Sequence, residues 1–263
     1  MVMEIKRFDV DENGNVIIVC DINDISEIIR DCTQETETYN ERTRDEIEKF
    51  VNDMIKTNYL SILSESLDFL KKFKINIDTN AINISDYDFF DIVRIYQILI
   101  ELNAMTDEIK NKIKDEIITK YNSIYEIDNI YKIISIAIEN NDREFAEFLV
   151  KNVVGNLLSG LYRNVGWEFR DWLNGKIYEY SKFGYLIRIL ETIFENNLER
   201  LIENEIKIFR KILLRVCEEN QINLKYLLKR RINSKLRDDA IVLIKVLDDD
   251  ELKRYLIMSS LNE

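Results

Sequence analysis

The chain has 263 residues, of which 46% are hydrophobic and 33% are charged, a balance typical of a globular protein with a sizeable core. Its formal net charge is −12, and it contains neither histidine nor proline. Without imidazole there can be no Ser-His-Asp or Cys-His catalysis and no histidine-based zinc site, so the most familiar hydrolytic centres are excluded.

Targeting and redox signals favour an intracellular protein. Residues 1–10 lack a signal-peptide pattern, and no apolar run reaches the ~20 residues that span a bilayer. We expect a cytoplasmic protein without membrane contact, and a component of a virus particle is the alternative. Cys20, Cys32 and Cys217 fit no metal or redox spacing, so we expect reduced, mostly buried thiols, with a Cys20–Cys32 disulfide as the alternative. The excess of 42 Ile and 26 Asn over 5 Ala indicates an AT-rich genome, archaeal or viral.

Residues 1–84 are predicted to form a small α+β part. Two apolar segments, 4–10 and 16–20, flank Asn13-Gly14, the dipeptide that most favours a tight hairpin turn. Alternating isoleucines in 75–84 suggest a second short hairpin, and 45–74 has the spacing of an amphipathic helix.

The first apolar run ends in acidic residues that are candidate metal ligands. A buried strand that delivers Asp21 and Asp24 at its end resembles the opening of PIN-type nucleases, in which a strand ends in Asp-Thr-Asn. The resemblance covers fewer than ten residues and departs at Ile22, which stands in place of the Thr. The family would imply a carboxylate-bound divalent ion at Asp21 and Asp24. The plainer interpretation is a strand-end turn in which Asp24 caps a helix, and we favour it.

Everything after residue 85 has helical patterning, which we divide into a central part, 85–160, and a C-terminal part, 161–263, although one continuous domain is equally compatible. In 86–103 and 126–139 only a narrow polar stripe interrupts apolar residues, so both helices should be central. Similar short breaks are predicted to end three helices, at Glu139-Asn-Asn141, Glu195-Asn-Asn197 and Glu219-Asn-Gln221.

Residues 155–184 hold five of the six glycines and both tryptophans. Because glycine disfavours helix and large aromatics anchor contacts, we interpret this stretch as a turning junction between helical parts. The alternative is a protein-binding or stacking surface built from Trp167, Trp172, Arg163 and Arg170. Glu168, Arg170 and Asp171 could form a polar site, but we favour a solvated helix face or local ion pairs.

Charge is distributed unevenly. Residues 1–150 carry 32 acidic and 17 basic side chains, a net charge of −15, whereas residues 207–237, here called the basic segment, hold ten basic residues and two acidic ones. On a helical wheel Lys207, Arg210, Lys211 and Arg215 share one arc, while Lys229, Arg230 and Arg231 are consecutive. These seven residues are the candidates for nucleic-acid binding. We favour the plainer interpretation, a solvated face that answers the acidic half of the same chain or of a partner copy, and nucleic-acid binding is the alternative. Asp248-Asp-Asp-Glu251 fits a helix start better than a cation site.

We therefore expect a mainly α protein, a multi-helix bundle or irregular helical-hairpin stack with a small N-terminal β-hairpin. Its predicted role is non-enzymatic: an assembly or adaptor protein that binds another protein or itself, without a cofactor. A nucleic-acid-binding subunit and a carboxylate-dependent metal enzyme are the alternatives.

Overall fold

In a computed structural model the protein is mainly α-helical, as the sequence predicts. The structure describes residues 7–10, 16–19, 52, 76–77, 79, 82–121, 126–160, 166–174, 181–232, 234 and 237–260. The chain divides into two compact units, residues 1–116 and 117–263. None of the helices in the described ranges combines the length and the apolar character that a bilayer crossing needs.

The first unit contains two short strands. β1 (Arg7–Val10) and β2 (Val16–Val19) pair antiparallel, with Arg7 opposite Val19 and Val10 opposite Val16. The Asn13-Gly14 turn and the residues Cys20, Asp21, Asp24 and Cys32 lie outside the described residues, and so does the helix predicted over 45–74, except for Asn52, which is helical.

The second hairpin predicted within 75–84 is wrong for the residues that the structure describes there. Ile84–Asp86 is a 3-10 turn, and it is held by local bonds from the Asn83 amide to Asp86 (2.8 Å) and from the Ser85 hydroxyl to Asn83 (2.9 Å). Such side chains favour turns because they compete with a strand ladder for hydrogen bonds. Ile82 and Ile84 are nevertheless buried. The alternation of isoleucines with polar residues therefore reflects which side chains are buried and does not indicate a strand.

Two helices follow. α1 (Phe89–Glu101) is capped by the Asp88 carboxylate, which accepts from the Asp91 amide at 2.8 Å, and it buries seven apolar or aromatic residues. This helix confirms the one predicted within 86–103. The polar residues of the predicted stripe that lie within α1 are half-buried. α2 (Asp107–Lys120) buries Ile109, Ile113 and Ile117, one residue per turn. The boundary between the two units falls within α2.

Beyond the end of α2, the second unit continues with α3 (Ile127–Glu139), which confirms the helix predicted over 126–139 and packs against the later helix Lys182–Glu195. α4 (Arg143–Leu149), a π-helical turn (Val150–Val154) and α5 (Gly155–Gly160) continue as one helix. Gly155 does not break it, contrary to the expectation for this glycine. A Cβ there would lie 3.4 Å from Ile202 Cγ2, so the glycine permits α5 to pack closely against Ile202, at the end of the 3-10 turn Glu199–Ile202.

Within the described residues after 160 the helices are α6 (Gly166–Leu173), α7 (Lys182–Glu195), α8 (Glu203–Glu219), α9 (Leu224–Arg231), α10 (Arg237–Leu247) and α11 (Asp250–Ser260), with a 3-10 turn (Glu199–Ile202) before α8. α10 contacts α7, α8, α9 and α11 and is apolar on most of its circumference, as expected of a helix at the centre of its unit.

The three predicted helix breaks are confirmed and share one geometry. Asn141, Asn197 and Gln221 adopt left-handed backbone, with φ of 57°, 55° and 55°. In each break the preceding Asn donates its side-chain amide to the carbonyl four residues earlier, at 2.7 to 2.9 Å. The next two backbone amides close the helix end in the pattern of a Schellman motif, for which glycine is the usual residue. Asn103 ends α1 in the same way, with φ of 55°.

Candidate functional site

The basic segment spans α8, α9 and the start of α10. α8 buries Ile206, Phe209, Leu213, Val216 and Cys217 on its inner side. Lys207, Lys211 and Arg215 lie on the exposed side, as the helical wheel predicts. Two of these cations have a carboxylate one turn away: Lys207 bonds Glu203 at 2.7 Å, and Arg215 bonds Glu219 at 2.9 Å. The outer side of α8 is therefore not a row of uncompensated positive charge.

Arg210 does not share that exposed side. Its Nε donates to the carbonyl of Val246 at 2.8 Å, and its guanidinium lies 3.7 Å from the Asp248 carboxylate. A guanidinium at a helix C-terminus satisfies carbonyls that have no partner within the helix. Arg210 thus joins α8 to the end of α10 and is a structural residue.

The α9 lysines pair with the acidic cluster at the start of α11. Lys225 bonds Asp249 at 2.6 Å and Glu251 at 3.3 Å, and Lys229 bonds Glu251 at 2.6 Å. The hydrogen bond from Lys229 lowers the pKa of Glu251, and the bond from Lys225 acts in the same direction. The cluster that resembled a cation site by composition therefore pairs with part of the basic segment.

The same cluster starts a helix, as predicted, but one residue later than the spacing suggested. Asp249, not Asp248, accepts the amides of Glu251 and Leu252 at 3.1 Å each. Asp248 adopts a φ of 54° and pairs with Lys253. The described ranges contain no group of three or more Cys, Asp or Glu side chains placed to hold a metal ion.

The glycine and aromatic stretch supplies a packed junction around α6. Trp172 is only 5% exposed, and its ring groups with those of Phe169 and Phe183 at centroid distances of 5.2 to 6.1 Å. Its indole donates to Asp239 at 2.7 Å. The buried Glu168 carboxylate accepts the Phe183 amide at 2.7 Å and so caps α7.

This burial corrects the prediction of a stacking surface for Trp172, because a side chain in the core offers no face to a partner. Arg170 is exposed, whereas Arg163 and the side chain of Trp167 lie outside the described residues. Glu168 is buried and accepts a backbone amide at the start of α7, so it lies neither on the solvated face that we favoured nor in the alternative polar site. Cys217 is a free, buried thiol whose pKa burial raises to about 11, so it is inert as a nucleophile at neutral pH.

A surface cleft of about 490 Å³ opens beside this junction, between the C-terminal end of α6 and α9. We call it the α6–α9 cleft. Its lining is Leu173, Asn174, Ile222, Asn223, Tyr226, Leu227, Arg230, Arg231 and Ser234. None of these residues is acidic.

Tyr226 and Arg230 form one wall of the cleft. They are one helical turn apart on α9, and Tyr226 is 62% exposed, although Leu224 and Leu228 on the same helix are buried. The Asn223 side chain caps this helix by accepting the Tyr226 amide at 3.0 Å. The large aromatic side chain of Tyr226 is thus exposed to solvent at the capped start of α9.

Arg231 connects the two walls. Its guanidinium lies 5.7 Å from the centre of the Trp172 ring and donates to the carbonyls of Trp172 and Leu173 at 3.4 and 3.3 Å. Burial lowers the pKa of Arg231, and the neighbouring positive charge of Arg230 lowers it further. The cleft therefore concentrates two cations of like charge.

The sequence did not single out Tyr226. The signal was present, because Tyr226 and Arg230 fall on the side of α9 opposite Leu224 and Leu228, and Tyr226 is the one aromatic residue of that helix. The sequence matches no family model, and no similar curated protein or solved structure was found.

Proposed function

We propose that the chain is a non-enzymatic adaptor that binds another protein through the α6–α9 cleft. One observation carries the proposal: Tyr226, which is 62% exposed, lines the cleft together with apolar side chains, those of Leu173, Ile222 and Leu227. Arg230 lies one helical turn from Tyr226 and lines the same cleft. Tyrosine and arginine are the residue types that dominate protein–protein binding energy, especially beside an apolar pocket. A folded monomer gains nothing from leaving such an aromatic residue in water.

The alternative of a nucleic-acid-binding subunit is less favoured by the charges. Five of the seven candidate cations already contact acidic side chains or backbone carbonyls: Lys207, Arg210, Arg215, Lys229 and Arg231. A phosphate backbone would have to displace these contacts while approaching a chain with a net charge of −12. Lys211 and Arg230 are the remaining exposed candidates.

The test is a selection of short peptides with the purified chain. A display library of random 16-residue peptides is panned against the wild-type protein, and enriched peptides are then measured by fluorescence anisotropy. Tyr226→Ala should weaken their binding by about tenfold or more, the effect of removing a hot-spot side chain worth about 1.4 kcal/mol.

Ile208→Ala is the matched control. Ile208 is also exposed, at 43%, but it lies on the outer side of α8 and does not line the cleft. It should change the affinity by less than about twofold. If no peptide is enriched, or if Ile208→Ala weakens binding as much as Tyr226→Ala, the proposal is wrong.

A further inference from the structure

We propose that the α6–α9 cleft selects a partner segment that carries an acidic side chain next to an apolar one, with Arg230 as the residue that recognises the carboxylate. This inference rests on the proposed function and adds the chemistry of the partner. It is carried by the juxtaposition of Arg230 and Arg231 with apolar side chains in a cleft whose lining, as far as the structure describes it, includes no carboxylate.

The contrast with the other cations of the same unit supports a missing anion. Along α8 and α9 the structure supplies a carboxylate to Lys207, Arg215, Lys225 and Lys229, each within 2.9 Å. In the cleft two guanidinium groups are consecutive in the chain, and none of the lining residues within the described ranges is acidic. An anion that entered would relieve this repulsion, so complementarity favours a negatively charged group.

The two arginines are suited to different tasks. Arg231 is half-buried and fixed against the Trp172 ring and the end of α6. Because its guanidinium already donates to backbone carbonyls, it attracts an anion mainly through its charge and less through new hydrogen bonds. Arg230 is exposed on the same side as Tyr226. Its planar fork can bond both oxygens of a carboxylate, which gives direction as well as attraction.

The apolar part of the lining specifies the neighbouring residue of the ligand. Leu173, Ile222 and Leu227 offer apolar surface beside the Tyr226 ring. A peptide with one acidic and one apolar side chain satisfies both halves of the cleft. A nucleic acid would present many phosphates to a site with two cations, and the acidic remainder of the chain would repel it.

The experiment is a double-mutant cycle with defined peptides. Peptides enriched on the wild-type chain are synthesised with each Asp or Glu and again with the corresponding Asn or Gln. The protein arms are wild type, Arg230→Gln and Lys211→Gln. Both substitutions remove one exposed positive charge from a helix of the same unit, and only Arg230 lines the cleft.

We expect the acid-to-amide change to weaken binding to the wild-type chain about tenfold, which corresponds to about 1.4 kcal/mol. Arg230→Gln should weaken the acidic peptide by a similar factor and leave the amide peptide unchanged within about twofold. Lys211→Gln should change neither by more than about twofold. Circular dichroism checks that both variants keep the wild-type helical signal.

Four outcomes would overturn the inference. Enriched peptides without acidic residues would do so while leaving the proposed adaptor function intact. Equal effects of Arg230→Gln and Lys211→Gln would show long-range charge attraction instead of recognition in the cleft. Displacement of the peptides by a 20-residue oligothymidine, lost in Arg230→Gln, would assign the cleft to single-stranded nucleic acid. Failure to enrich any peptide would refute the proposed function itself, and this inference with it.

Discussion

The indole nitrogen of Trp172 lies 2.7 Å from a carboxylate oxygen of Asp239, although the two residues are 67 positions apart in the chain. The bond joins α6 to the first turn of α10. Arg231, the last residue of α9, also contacts the Trp172 ring. The C-terminal end of α6 is therefore held by contacts from both α9 and α10. These contacts fix one wall of the α6–α9 cleft.

Removing the indole donor should destabilise the protein more than removing the acceptor's charge. Trp172→Phe leaves a half-buried carboxylate without this donor and should cost about 1 to 3 kcal/mol. Asp239→Asn keeps an oxygen that accepts the bond and relieves a buried charge, so it should stay within about 1 kcal/mol of the wild type. Urea unfolding followed by circular dichroism measures both. Equal losses would show that the bond depends on the negative charge of Asp239, which contradicts this account.

The pH dependence of stability should contain an unusual contribution from α7. Burial raises the pKa of Glu191, and Glu195, Asp238 and Asp239 raise it further, against the lowering effect of Lys245. A raised pKa means that the folded state binds the proton more tightly than the unfolded chain, whose value is 4.5. The charged form of Glu191 therefore lowers the free energy of unfolding. This loss is absent below pH 4.5, grows as the pH rises, and is complete above the pKa of Glu191 in the folded state.

Glu191→Gln should therefore stabilise the protein at pH 7.5, and its advantage should shrink as the pH falls toward 4.5. Glu203→Gln is the control of opposite sign. The hydrogen bond from Lys207 lowers the pKa of Glu203, so this carboxylate contributes stability above 4.5 that is lost as pH falls through its folded value. Denaturant curves at several pH values separate the two. A Glu191→Gln effect that does not vary with pH contradicts the account.

Glycine at a left-handed helix end should stabilise the protein. Gln221, with φ of 55°, bears a side chain where glycine carries no steric penalty, so Gln221→Gly should raise the unfolding free energy by about 1 kcal/mol. Asn197→Gly should gain less, because asparagine tolerates this conformation better. Glu218→Gly, inside α8, should instead lose about 1 kcal/mol. Thermal unfolding midpoints that fall in all three variants would refute the assignment.

Neighbouring cations on α8 should differ sharply in their effect on stability. Arg210→Ala removes a charged hydrogen bond to the Val246 carbonyl at the end of α10 and should cost about 1 to 2 kcal/mol. Lys211→Ala, on the exposed side, should change stability by less than about 0.5 kcal/mol. Urea unfolding distinguishes them, and equal small losses would mean that Arg210 is a surface residue after all.

The sequence predicted those features that depend on local chemistry. Apolar periodicity located α1 and α3, and the repeated Glu-Asn-Asn and Glu-Asn-Gln segments located three helix ends, because each break uses only residues within one turn. The apolar alternation in 75–84 was misleading, since buried isoleucines in a 3-10 turn and in a strand give the same pattern.

The candidate site required long-range contacts that no local pattern contains. The wheel placed Arg210 with the other α8 cations, and only the position of α10 shows that it bonds Val246, 36 positions later. The acidic partners of Lys225 and Lys229 come from α11, and Trp172 is buried by residues from α7 and α10. Charge density alone therefore overstated the surface available to nucleic acid.

The central claim is that this chain binds a protein segment in the α6–α9 cleft, and a map of amide chemical shifts tests it most directly. Isotope-labelled protein is titrated with an enriched peptide, and the backbone shifts of the second unit are followed. We predict the largest changes at Leu173, Asn174, Tyr226 and Arg230, with little change on the outer side of α8. Changes centred on Lys207, Lys211 and Arg215, with an unaffected Tyr226, would contradict the account.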